Sequence, residues 1–168
     1  AFKMNVVVYT LHRDAALAKK RGFRYVSFRD LLKKADIITL HVPLTPETRH
    51  IINMQAVRQM KLGVYVINTA RGELIDTKAL MYGLRKGIIA GAALDVLEGE
   101  EALGAHRKKQ QNMVGGRVPA LLEELHQYNV VVTPHCAFDT REAIERILDT
   151  TVENINAFAK GTSQNVVS

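Results

Sequence analysis

The stretch VINTARGELIDTKAL, residues 66–80, passes from a strand pattern to a helix pattern through one tight turn. Val66 and Ile67 are apolar and β-favouring, and they lead into a short segment that ends in Arg71 and Gly72. Asp76 then stands where a helix N-cap is expected, just before an amphipathic stretch. The pattern predicts a buried strand, a turn and a helix, with a guanidinium at the carboxyl end of the strand.

The rest of the chain repeats this alternation of short apolar runs and amphipathic stretches. The strands are apolar throughout, which is typical of a sheet buried on both faces. Strands that alternate with helices predict an α/β fold with a doubly wound, mostly parallel sheet. The predicted strands are residues 6–9, 37–42, 65–68, 89–94 and 130–132, and the predicted helices are 28–35, 54–60, 77–86, 119–128 and 140–160.

The composition indicates one globular domain with a sizeable core, because 47% of the 168 residues are hydrophobic. We predict that this domain covers residues 1–161, with a long loop at 99–118 and a C-terminal tail at 162–168. Cys136 is the single cysteine, so no disulfide can form within the chain. No apolar run reaches the roughly 18 residues that a membrane span needs, and the first residues lack the layout of a signal peptide. We therefore expect a cytoplasmic protein with no membrane partner.

The net charge of +6 raises the alternative of an acidic partner such as nucleic acid. The basic residues are scattered, however, and the densest group, Arg107 to Lys109, has no aromatic residues interleaved with it for base stacking. We expect no nucleic-acid binding.

The carboxyl ends of the predicted strands carry chemically useful side chains, and ligands bind at this edge of doubly wound sheets. Arg71 follows one strand, several carboxylates follow the strand at 89–94, and His135 follows the strand at 130–132. Arginine suits bidentate binding of a carboxylate, and histidine suits proton transfer near neutral pH. Together these residues indicate a site for a small acid with a reducible carbonyl.

Four linked segments of the chain resemble one known family: HVPLTPETRHIIN, NTARGELIDTKAL, GAALDVLEGE and TPHCAFDT. In this order and at these intervals they are similar to the NAD-binding domain of the D-isomer-specific 2-hydroxyacid dehydrogenases. The extended loop after Glu100 is most similar to the D-lactate dehydrogenase branch. The resemblance implies a Rossmann-like fold and the transfer of hydride between a nicotinamide cofactor and a small 2-keto or 2-hydroxy acid.

The resemblance also implies the catalytic residues. Arg71 matches the arginine that grips the substrate carboxylate, and Gly72 would let the turn come close to the substrate. His135 matches the general acid/base, and Glu100 matches the carboxylate that pairs with it. Because Glu98 and Glu101 stand beside Glu100, a solvated acidic run is the alternative interpretation of that position.

The same resemblance implies a cofactor site and no metal. Family members that bind NAD usually carry an acidic residue at the end of the family's second strand, which corresponds to the strand at 6–9 of this chain. Here that position holds Thr10, with Arg13 nearby. An arginine without the carboxylate suits a 2′-phosphate, so NAD is expected and NADP stays an alternative. The full set of residues implied to bind the cofactor is Thr10, Arg13, Val42, Pro43, Thr48, Thr69, Ala70, Asp95 and Ala137.

The chain also departs from the family pattern, because no G-x-G-x-x-G sequence occurs in it. We expect a truncated nucleotide-binding domain that lacks the N-terminal glycine-loop segment and the substrate domain. The parent enzyme would be an NAD(P)-dependent D-2-hydroxyacid dehydrogenase, and the isolated chain would be inactive. The alternative is a non-catalytic nucleotide-binding or dimerisation module of the same fold.

A sheet without its first strand would have two open edges, and exposed edges recruit other strands. We expect this gap between the strand at 6–9 and the strand at 65–68 or its equivalent. The expected partners are therefore a small 2-keto acid in the parent and a second copy of the chain, paired near residues 4–10.

Overall fold

The computed structural model describes residues 3–100 and 117–166, so most of the predicted 99–118 loop and the end of the predicted tail lie outside the described residues. The chain forms two compact units, Ala1–Val132 and Thr133–Ser168. The division at residue 161 stays a prediction.

The first unit alternates strands and helices, as the sequence predicts. Its order is β1 (Val7–Val8), α1 (Ala15–Arg21), β2 (Arg24–Tyr25), α2 (Phe28–Lys34), β3 (Ile37–Leu40), α3 (Met54–Gln59), β4 (Val64–Asn68), a short 3-10 helix (Gly72–Leu74), α4 (Thr77–Arg85), β5 (Ile89–Leu94), α5 (Arg117–Leu125) and β6 (Val130–Val132). Neither α1 nor β2 is predicted from the sequence, because β2 has only two residues and α1 has no buried residue to mark an apolar stripe.

All strand pairs in this unit are parallel, which confirms the predicted α/β class. β1 pairs with β2, and a four-stranded sheet has the order β3-β4-β5-β6. β4 therefore lies inside the sheet, and β3 and β6 are its two edge strands among the described residues. Residues 65–68 therefore border no open edge among the described residues, and β3 is the edge strand on that side, in the place of the equivalent that the expectation left open.

Among the described residues, one face of the four-stranded sheet is buried and the other is open. Ile38, Val66 and Ala92 are register partners in one buried row. The opposite face includes Ile37 and Val131, with exposed fractions of 42% and 61%. The prediction of a sheet buried on both faces is therefore wrong for the described residues.

Helices α2, α3 and α4 supply the core on the covered face. Leu32, Val57, Leu80 and Leu84 from these helices are buried in one cluster with the inward side chains of β3, β4 and β5. The N-terminus of α4 is fixed as predicted, because Oδ1 of Asp76 accepts a hydrogen bond of 2.8 Å from the backbone N–H of Lys78.

The second unit contains helix α6 (Arg141–Ala159). Thr140 caps its N-terminus, because the Thr140 hydroxyl accepts a hydrogen bond of 3.2 Å from the backbone N–H of Ala143. Its apolar side chains at helical spacing include Ile147, Leu148 and Ile155, and all three are exposed. Within the described ranges, none of the helices has both the length and the apolar character to cross a membrane.

A matched pair of substitutions on β3 tests the one-sided burial. Ile38→Ala should lower the free energy of unfolding by about 2–5 kcal/mol, because Ile38 is 3% exposed and its removal leaves a cavity. Ile37→Ala, one position away on the open face, should change it by less than about 1 kcal/mol. Urea unfolding of both variants, at a concentration at which the chain is monomeric, measures the difference, and equal losses would show that the chain itself covers both faces.

Candidate functional site

The carboxyl ends of β3, β4 and β5 lie at one edge of the parallel sheet, as the register of the three strands requires. Three connections leave this edge: the β3–α3 loop (residues 41–53), the arginine turn (residues 69–72) and the acidic loop (residues 95–100). Most of the predicted site residues lie on these three connections.

The arginine turn is held by the side chain of Asn68, which is only 1% exposed. Oδ1 of Asn68 accepts a hydrogen bond of 3.0 Å from the backbone N–H of Ala70, and Nδ2 donates one of 2.8 Å to the carbonyl of Arg71. The backbone of Arg71 is extended and its side chain is exposed. Nη1 of Arg71 donates a hydrogen bond of 2.7 Å to the carbonyl of Ala70. The turn therefore presents a guanidinium at the edge of the sheet from a fixed backbone.

Gly72 brings the arginine turn into backbone contact with the acidic loop. A Cβ atom at Gly72 would lie 2.2 Å from the carbonyl carbon and oxygen of Leu97 and 2.5 Å from the backbone nitrogen of Glu98. No side chain fits at such distances. The resemblance implies that this glycine lets the turn come close to the substrate, whereas the close neighbour of Gly72 in the structure is the acidic loop.

The acidic loop is anchored to β4 at its start and is folded back on itself at its end. The backbone N–H of Asp95 donates a hydrogen bond of 2.9 Å to the carbonyl of Asn68, and the Asp95 side chain is buried. Oε2 of Glu100 accepts a hydrogen bond of 2.9 Å from the backbone N–H of Leu97, and the Glu100 N–H donates one of 3.1 Å to the Leu97 carbonyl. Glu100 is half-buried and folded back on its own loop, so this part of the acidic run is not a freely solvated face.

Glu98 joins the acidic loop to two other segments. Its Oε1 lies 2.7 Å from Nε2 of His50, and its Oε2 accepts hydrogen bonds from the hydroxyl and the backbone N–H of Thr77 at 2.8 and 3.1 Å. Burial raises the pKa of Glu98, but the hydrogen bonds from Thr77 and His50 outweigh it, and the pKa lies below its ordinary value. Glu98 is therefore ionised and half-buried, and its carboxylate joins the acidic loop to the β3–α3 loop and to α4.

The β3–α3 loop carries three of the predicted cofactor residues. The Thr48 hydroxyl donates a hydrogen bond of 2.6 Å to the carbonyl of Pro43 and lies 2.8 Å from the backbone nitrogen of Thr45, which donates to it. These bonds close the loop on itself. Val42 is half-buried, and Pro43 is exposed.

Thr10 and Arg13, the residues that bear on the choice between NAD and NADP, follow β1. The Thr10 hydroxyl accepts a hydrogen bond of 3.3 Å from the backbone N–H of His12, and the guanidinium carbon of Arg13 lies 5.8 Å from the centre of the Tyr25 ring. Arg13 is exposed in this arrangement.

His135 and Ala137 belong to the second unit, in the segment that follows β6. His135 has a positive φ of 54°, which is uncommon for a residue with a side chain, and its backbone N–H donates a hydrogen bond of 3.0 Å to the carbonyl of Thr133. His135, Cys136 and Ala137 are exposed. Of the predicted catalytic residues, the first unit thus contains Arg71 and Glu100, and the second unit contains His135.

The described residues contain no group of three or more histidine, cysteine, aspartate or glutamate side chains placed to hold a metal ion.

A family profile described as the D-isomer specific 2-hydroxyacid dehydrogenase NAD binding domain matches residues 1–137. The chain belongs to this family. Among solved structures, D-lactate dehydrogenase from Aquifex aeolicus complexed with NAD and lactic acid shares 40% sequence identity at a TM-score of 0.81, with 95% of this chain and 47% of that chain covered. D-lactate dehydrogenase with NAD+ from Lactobacillus jensenii shares 34% identity at a TM-score of 0.83, over 98% and 48% of the two chains.

Curated relatives in the dehydrogenase family carry several activities in their names. The aromatic 2-oxoacid reductase of Clostridium sporogenes is 43% identical over 148 residues, which cover 87% of this chain and 44% of that protein. The glyoxylate reductase of Thermococcus litoralis is 40% identical over 161 residues, which cover 95% and 43%. This dehydrogenase-family chain therefore spans about half the length of the curated relatives that it matches.

Three residues of this dehydrogenase-family site were missed or undervalued by the sequence analysis. Asn68 carried a usable signal, because a polar residue that ends an apolar strand must satisfy its hydrogen bonds locally. His50 and Glu98 lie far apart in sequence, and nothing in their local patterns predicts that their side chains meet. The roles implied for the individual predicted residues stay predictions.

Proposed function

We propose that this chain is the nucleotide-binding part of an oxidoreductase that transfers hydride between a nicotinamide cofactor and a small 2-keto or 2-hydroxy acid. The observation that carries the proposal is the arginine turn. Its backbone is fixed by Asn68 and Gly72, and its guanidinium is exposed at the carboxyl edge of a parallel sheet. Planar bidentate donors of this kind suit a carboxylate.

The proposed chemistry divides among the chain's own residues. Arg71 would bind the substrate carboxylate and orient the neighbouring carbonyl. His135 would give a proton to the carbonyl oxygen during reduction and take it back during oxidation. When bound, the nicotinamide would supply or accept the hydride. The pairing of Glu100 with His135 rests on the family resemblance alone.

The described residues fit the nicotinamide end of such a cofactor. Asp95 places a buried carboxylate at the end of β5, where it suits the N–H groups of a carboxamide, and the backbone of Thr69 and Ala70 lies on the adjoining turn. We propose NAD as the cofactor, and Arg13 keeps NADP as the alternative. The substrate class is taken as a small 2-keto acid, since the relatives' names cover lactate, glyoxylate and aromatic 2-oxo acids.

Titration of the isotope-labelled chain with NADH tests the cofactor proposal. We expect NADH to shift the NMR signals of Thr69, Ala70 and Asp95 and to leave those of Arg85 and Glu124, on the surface between α4 and α5, unchanged. Absorbance at the NADH band should show no turnover with pyruvate or glyoxylate, because positioning supplies much of such a rate and no G-x-G-x-x-G cradle occurs in the chain.

Two results would contradict this account. Robust oxidation of NADH by the purified chain would overturn the proposed inactivity. Absence of any shift at Thr69, Ala70 and Asp95 at millimolar NADH would overturn the cofactor site.

The second candidate function is a non-catalytic nucleotide-binding or dimerisation module. The open apolar face of the four-stranded sheet favours it, because Tyr65, the register partner of Ile37, is 45% exposed and Val131 is exposed on the same face. Met4 and Val6, next to β1, are also exposed. We propose that the chain forms a homo-oligomer, most simply a dimer, through this face and through pairing near residues 4–10.

Light scattering at micromolar concentration tests the assembly. We expect a mass of about twice the 18.7 kDa of one chain. Ile37→Lys should shift the mass towards one chain, because it places a charge on the open face and edge strand. Leu62→Lys is the matched control, since Leu62 is an exposed apolar residue outside the strands. A monodisperse monomer of the unmodified chain would refute the oligomer.

A further inference from the structure

Glu98 is the residue at which the three connections of the candidate site meet. We propose that Glu98 is a positioning residue, whose carboxylate holds the arginine turn and the acidic loop in one arrangement and so sets where Arg71 presents its guanidinium. The inference rests on the proposed function, because the placement of Arg71 matters for a bound carboxylate.

Both oxygens of the Glu98 carboxylate are used, each towards a different segment. Oε1 meets His50 of the β3–α3 loop, and Oε2 meets the backbone and side chain of Thr77, the first residue of α4. Backbone N–H groups in the first turn of a helix have no partner within the helix, so a carboxylate there satisfies a donor and favours the helix dipole. Removal of Glu98 would leave donors on both segments without this acceptor.

The segment that carries His50 is bonded to the residues that directly follow the arginine turn. The backbone N–H of His50 donates a hydrogen bond of 2.8 Å to the carbonyl of Glu73, two residues after Arg71. The N–H of Ile52 donates one of 3.1 Å to the carbonyl of Leu74, and the N–H of Asp76 donates one of 3.0 Å to the carbonyl of Ile52. The segment from 73 to 76 is therefore pinned to the β3–α3 loop, and Glu98 ties both segments to the acidic loop.

The backbone of Glu98 also contacts the arginine turn, independently of its side chain. Its nitrogen is among the atoms that a Cβ at Gly72 would strike, so the loop at Glu98 lies directly against the turn. The neighbouring Leu97 N–H is also the donor to the Glu100 carboxylate. A displacement of Glu98 would therefore be transmitted to the arginine turn on one side and to Glu100 on the other.

A merely stabilising ion pair is available on the same unit as a matched control. Arg85 of α4 and Glu124 of α5 form an ion pair that joins two elements without contact to the arginine turn. Loss of this pair should affect stability and leave the site geometry unchanged, which separates positioning from stabilisation.

NMR of the full chain and of Glu98→Ala, Glu98→Gln and Glu124→Gln tests the proposal. In Glu98→Ala we expect shifted signals for the amides of Gly72, Leu97 and Glu100 and for Nε of Arg71. The Leu74 amide, which donates to the Arg71 carbonyl at 3.2 Å, should exchange with solvent at least about tenfold faster. Glu98→Gln should restore most of these signals, because a glutamine amide can accept from Thr77 and donate to the His50 ring. Glu124→Gln should move none of them.

The proposal is overturned if Glu98→Ala moves these signals no more than Glu124→Gln does, or if Glu98→Gln fails to restore them. Should Glu98→Ala not fold, His50→Ala replaces it and must shift the same residues by a smaller amount. All readouts come from the chain without ligand. Failure of NADH to bind would therefore count against the proposed function alone, whereas unmoved signals would count against the role of Glu98 alone.

Discussion

The contact between Gly72 and the backbone of Leu97 and Glu98 is the constraint on which the candidate site depends. With no side chain at residue 72, the arginine turn packs directly on the acidic loop, closer than any Cβ would allow. This contact brings the connection after β4 and the connection after β5 together at the carboxyl edge of the sheet. Arg71, Asp95 and Glu100 all lie within five residues of it in sequence, so their placement follows from one backbone geometry.

Packing of this kind is tolerable only if the polar groups around it are satisfied, because a buried group without a partner costs about 1–3 kcal/mol. Asn68 uses both ends of its amide on the arginine turn, and Glu98 uses both oxygens on His50 and Thr77. Among the described residues that are not exposed, no buried side-chain nitrogen or oxygen is without a hydrogen-bond partner. The site is therefore a closed polar network, from which the exposed guanidinium of Arg71 projects.

The fold class followed from local patterns, because short apolar runs and capped helices are encoded within a few residues. The strand, turn and helix of residues 66–80 and the cap at Asp76 are examples. The one-sided burial of the sheet did not follow, because Ile37 and Ile38 are the same residue type and only the tertiary arrangement gives them different exposure. Likewise, Arg71 could be picked out from its turn, whereas the meeting of Glu98 with His50, 48 residues away, depends on packing that no local pattern encodes.

The most direct test of the Gly72 contact is the free energy of unfolding of Gly72→Ala, measured by urea unfolding. Gly72 does not have a positive φ, so without a close neighbour alanine would stabilise the chain by about 0.4–1 kcal/mol through the unfolded state. Our account predicts the opposite sign, a loss of about 1–3 kcal/mol or more, because the new methyl group must displace the backbone of Leu97. An unchanged or increased stability of Gly72→Ala would contradict the account.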